Sequence, residues 1–162
     1  MKGVIVVPGV PGVTPPPALP VNSCRITGGG SVFTTNGVRV THGFQLRAPA
    51  TELPQSLEVN WNVPGDSGSE MHFHLTDLTF ATCVDNPNIS PGPGNPGVTF
   101  DTFIATGVGD LNGVPGATIE LIFTDAGEPG TSDTATMTIR DSNGTVVLDV
   151  SNVLTFGNQQ MH

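Results

Sequence analysis

Between residues 112 and 149 the chain alternates short apolar stretches with turn-forming residues at intervals too close for a helix. Residues 118–123 (TIELIF), 135–139 (ATMTI) and 146–148 (VVL) are rich in β-branched and apolar side chains and read as strands. The acidic segment 125–133 (DAGEPGTSD), broken by glycine and proline, separates the first two. Residues 141–144 (DSNG) separate the last two, and their Asn143-Gly144 step offers the positive φ angles of a tight hairpin. The same texture runs through residues 24–27, 31–34, 38–47, 57–61, 71–75, 78–83 and 99–107, with an Asn36-Gly37 turn between the second and third. Residues 85–97 (DNPNISPGPGNPG) form a loop that no packed element can use. No window carries helical periodicity. The expected fold of residues 23–162 is therefore all-β: an antiparallel β-sandwich of about ten short strands, with Greek-key or jelly-roll-like connections.

Charge narrows the partners. Five cations face fourteen acids in 162 residues, for a formal net charge of −9. Phosphate backbones and anionic membrane surfaces are recognised through clustered Lys and Arg, so nucleic acid and membrane partners are not expected. No run of 18 apolar residues is present, so no membrane insertion is expected. Charged residues make up 12% of the chain, about half the share in an ordinary soluble domain, and Lys2 is the sole lysine. This composition fits a secreted or surface-exposed β protein. In that setting the two cysteines, Cys24 and Cys83, read as a disulfide, which closes a loop worth about 3–4 kcal/mol in the chain-entropy model.

The first 22 residues stand apart from the domain. Val4, Ile5, Val6 and Val7 form a strongly β-prone apolar run, and six prolines follow within residues 8–20. That proline-rich stretch reads as an extended, semi-rigid spacer. An apolar strand on a spacer either folds back as an edge strand or adds to an open sheet edge of another copy. The second choice makes the chain a subunit of a homo-oligomer or homopolymer.

Several segments together resemble a known family. They are residues 26–31 (ITGGGS), 40–46 (VTHGFQL), 57–61 (LEVNW), 73–75 (FHL), the stretch 112–149 and the ending 157–162 (GNQQMH). In order and spacing they are similar to the small all-β domain that follows a choice-of-anchor module in secreted bacterial surface proteins, over residues 24–162. The resemblance implies a secreted location, a β-rich fold and a structural or adhesive setting, and it carries no catalytic activity. A family cysteine just after the HGFxL segment is replaced here by Arg47-Ala48-Pro49, so the resemblance does not imply the Cys24–Cys83 pairing.

Candidate chemistry is thin. His72 and His74, two apart on a strand, point to one face, and His42 joins them as a transition-metal set if its strand lies alongside. Against this, Phe73 must face the other way, so an apolar inner side and a polar outer side account for the pattern. Asp125, Glu128 and Asp133 offer hard oxygen ligands suited to Ca²⁺, the one candidate cofactor, though without EF-hand spacing. There is no Gly-x-Ser-x-Gly elbow, no tyrosine and a single tryptophan, so neither nucleophilic hydrolysis nor an aromatic-lined sugar cleft is expected. The chain reads as no enzyme but as a structural subunit of an extracellular filament or pilus-like surface assembly. A monomeric ligand- or cell-wall-binding module is the alternative.

Overall fold

A computed structural model describes residues 23–63, 65, 69–89 and 100–162. The predicted strand Val4, Ile5, Val6 and Val7, its spacer and most of the 85–97 loop lie outside the described residues.

The described chain is all-β, without a helix, and forms nine strands. They are β1 (Cys24–Phe33), β2 (Arg39–Ala48), β3 (Ser56–Asn62), β4 (Glu70–Val84), β5 (Thr102–Leu111), β6 (Val114–Thr124), β7 (Thr134–Arg140), β8 (Val146–Val153) and β9 (Phe156–Met161). Alternation explains each of them. In β3, Leu57, Val59 and Trp61 are buried while Glu58 and Asn60 face outward, and in β7 Ala135, Met137 and Ile139 alternate with threonines. Phe73, Phe103 and Phe123 fill the centre with no exposed surface, each stabilising the fold by about 1.5–3 kcal/mol relative to an exposed ring.

The strands make one continuous antiparallel sheet in the order β8-β7-β6-β5-β4-β3-β2-β1-β9, curled into a half-barrel. This departs from the expected pair of stacked sheets with Greek-key connections. Strands β1 to β8 are joined as successive hairpins, so each stays beside its predecessor and the sheet has no point at which to divide. Curling then does the work of a second layer, because the concave face encloses its own core.

Curvature has local causes. The predicted strands 71–75 and 78–83 are one long strand, β4, bent by register shifts at Leu75/Asp77 and Leu78/Phe80. Strand β3 pairs only with residues 70–74 of β4, and beyond that point Cys83 reaches across the interior to Cys24 on β1 in a disulfide with Cα atoms 6.5 Å apart. At the opposite side of the curl, β8 comes beside β1, and the two-residue link Leu154-Thr155 carries the chain across to β9. There β1 is held between β2 and β9 at Gly28-Gly29-Gly30. A Cβ at Gly30 would strike the backbone of Phe156.

Turn chemistry differs from expectation in one respect. The Asn143-Gly144 hairpin takes positive φ only at Gly144 (85°), with Gly144 N–H donating to Asp141 O, a three-residue loop closed by a left-handed glycine. The two-residue turn with positive φ at both centres is Asn112-Gly113 (50° and 81°), joining β5 to β6.

Candidate functional site

A curled sheet that does not close has two edges, and here they are treated differently. Strand β9 pairs with β1 along one side. On its other side the backbone N–H of Gln159 donates to Asp133 Oδ2 and that of Met161 to Asp125 Oδ2, each at 2.8 Å. The second oxygen of each carboxylate accepts from the β6–β7 connection itself: Asp133 Oδ1 from Ala126 N–H (2.8 Å) and Asp125 Oδ1 from Gly127 N–H (2.9 Å). Glu128 accepts from Asn158 Nδ2 at 3.0 Å with both of its oxygens. Side-chain carboxylates thus occupy the positions that a neighbouring strand's carbonyls would hold. The β9 edge is capped.

The Gln159 side chain completes the seam. Its Nε2 donates to Thr124 O (2.8 Å) and Thr134 O (2.9 Å), at the ends of β6 and β7, and its Oε1 lies 3.1 Å from His42 Nε2. With Nε2 of Gln159 committed as donor, Oε1 accepts, so His42 carries its proton on Nε2. The His42 ring lies parallel to Phe44 (centroids 5.7 Å apart) and tilted against Phe123 (5.3 Å), with its Nδ1 buried and unbonded. Burial holds His42 below the usual imidazole pKa, with the Gln159 bond opposing. Burial also lifts Asp133 to about 6, helped by the charges of Asp125 and Glu128 and opposed by the two N–H donors.

These contacts give the three acids of the calcium expectation other partners. The oxygens of Asp125, Glu128 and Asp133 are directed at N–H and amide donors within the seam. Among the described residues no group of three or more His, Cys, Asp or Glu side chains is gathered to hold a metal ion. The three-histidine set also separates. His42 faces the interior, opposite Val59 and in line with Phe73, whereas His72 and His74 lie on the outer face, half exposed. There both histidines contact Glu58, His72 Nε2 at Oε2 and His74 Nδ1 at Oε1 (2.6 Å). Partial burial pushes Glu58 up, but the hydrogen bonds and charges of His74 and His72 outweigh it and hold the carboxyl below its usual pKa.

Among the described residues the other edge is unpaired. Strand β8 has β7 on one side and, among the described residues, no strand on the other. Its second half is screened by β1: Asn152 Nδ2 donates to Phe33 O at 3.2 Å, and Thr155 N–H to Ser31 O at 2.8 Å. Its first half, residues 146–149, borders a cavity of about 230 Å³. Thr34 and Asn36 of the β1–β2 turn line its rim, and Val38 and Trp61 its apolar wall. Along residues 146–149 no backbone group outside β7 supplies a hydrogen bond among the described residues. No sequence signal marked this place, because only the curl brings Trp61 and the β1–β2 turn opposite β8.

Comparison with protein-family models, curated proteins and solved structures finds no match to this chain.

Proposed function

We propose that the protein is a structural subunit of an extracellular bacterial surface assembly, and that it polymerises when Val4, Ile5, Val6 and Val7 of one copy add as a strand to the sheet of the next. The observation that carries this reading is the contrast between the two edges. One is blocked by buried carboxylates, whereas the other, among the described residues, leaves backbone donors and acceptors beside an apolar wall, in a chain whose sequence carries a β-prone apolar run at residues 4–7 followed by a proline-rich stretch. Main-chain hydrogen bonds supply affinity in such strand addition, and side-chain pockets supply register.

A disulfide, a single lysine and the resemblance to a secreted all-β domain support the extracellular setting. On this reading the chain performs no catalysis, and its folded part is an acceptor and a building block. Light scattering after size exclusion tests the proposal. Full-length protein is expected to run as polydisperse high-mass material, and a chain lacking residues 1–10 as a folded monomer. Polymer from the truncated chain defeats the proposal, as does a truncated chain that cannot fold, because the strand then belongs to its own domain.

A further inference from the structure

Resting on that reading, we infer that the acceptor is the β8 edge at residues 146–149, and that it receives the N-terminal strand of a second copy in a head-to-tail chain. Lengths are compatible, since the six residues of β8 ahead of Asn152 take no backbone hydrogen bond from outside β7 among the described residues, four of them border the cavity, and the donor run is four residues long. Chemistry agrees as well. Val38 and Trp61 offer an apolar wall to an apolar strand, while Thr34 and Asn36 keep the rim polar.

Continuing the antiparallel pattern of the sheet sets Val4 against Asp149, Ile5 against Leu148, Val6 against Val147 and Val7 against Val146. Leu148 is buried and Asp149 exposed, so Ile5 turns inward to the cavity and Val4 outward. Lys2 then shares the outward face with Asp149, two residues along the strand, placing the sole lysine near a carboxylate. A parallel arrangement carries Lys2 away from Asp149.

The positions of exit and entry lie at opposite ends of the domain, which suits a head-to-tail contact with a second copy. The tail joins the domain at Ser23, beside the start of β1, whereas the cavity lies at the β1–β2 turn, where β1 ends. Ten residues of strand separate them, about 30 Å. A spacer stiffened by six prolines, leaving at one end, favours a receptor at the far end of a neighbour over a return along its own sheet. Exit at one end and entry at the other is a heterologous contact that does not close on itself, and it produces fibres.

Hydrogen–deuterium exchange on the full-length protein, assembled and diluted to monomer, tests the inference without mutation. Amides of residues 146–149 are expected to slow at least tenfold on assembly while those of β9 stay unchanged. A second measurement uses the full-length double variant Val6→Cys with Val147→Cys under mild oxidation, expected to give a disulfide ladder in steps of 16.7 kDa, and Val6→Cys with Gln160→Cys, expected to give none. Tail-dependent assembly with unchanged β8 amides, or a ladder from the Gln160 variant, overturns the β8 assignment and leaves strand addition standing. A cross-link confined within single chains overturns the head-to-tail arrangement. Assembly that persists without residues 1–10 removes both.

Discussion

Among the largest fully buried side chains Gln159 alone is polar, and every one of its polar atoms is engaged. It and the two aspartates of the β6–β7 connection convert a sheet edge into a closed surface. Asp133 gives this arrangement a pH signature. Its folded pKa of about 6 lies above its ordinary 3.8, so the folded state binds the proton more tightly than the unfolded chain. Its stabilising contribution is complete below pH 3.8 and is lost as pH rises through 6. His42 acts in the opposite sense, because its lowered pKa favours folding above 6.5 and opposes it as pH falls. Asp133→Asn removes the first contribution and turns an amide N–H toward the N–H of Gln159. The expected result is a loss of about 1–3 kcal/mol and a flatter stability profile between about pH 4 and 6. Urea midpoints at four pH values check it, and parallel profiles for variant and parent refute the assignment. Nothing in the sequence separated this role from calcium ligation, since three acids in a glycine-rich loop look the same either way. The partners they have in the fold come from β9, whose N–H groups arrive from residues 26 to 36 positions away.

At the scale of elements, periodicity was a dependable guide where a strand buries one face. Strands β3, β6, β7 and the start of β4 alternate cleanly, and their residues were legible for that reason. The ninth strand was not, because FGNQQM has no apolar alternation and becomes a strand only by pairing with β1. Thr76 and Asp77 read as a break between two strands, yet the backbone passes through them as a bulge. Turns divide in the same way. Three Asn-Gly steps, at Asn36, Asn112 and Asn143, were available as tight turns, but among the described residues only Asn112 adopts a left-handed φ, where its Oδ1 also accepts the His72 N–H at 2.8 Å. Asn112→Ala is therefore expected to cost about 1–2 kcal/mol, and Asn143→Ala less than about 0.5 kcal/mol. Thermal melts of the pair give the comparison, and equal costs contradict the turn assignment.

For the whole molecule, composition was enough for an all-β chain, while the arrangement of its strands was not. Each hairpin is local, whereas the curl depends on the β4 bulges, the glycines of β1 and the seam at β9, none of which short-range patterning reports. The Cys24–Cys83 bridge ties strands that are three positions apart in the sheet, so it resists flattening of the barrel as well as unfolding. Reduction is expected to lower stability by about 3–4 kcal/mol and to speed amide exchange first in β1 and the second half of β4. Exchange that quickens uniformly over the sheet would assign the bridge no part in the curl.

The proposed assembly belongs to this scale too, because the donor and acceptor it invokes sit on different parts of the chain and would meet between copies. A synthetic peptide of residues 1–10, titrated into a chain lacking those residues, tests strand addition most directly. Saturable one-to-one binding is the predicted result, with a melting temperature that climbs with peptide concentration, by about 2.7 kcal/mol of stabilisation at a hundredfold excess over Kd. No binding and an unmoved melting temperature, under conditions in which the full-length chain assembles, would contradict it.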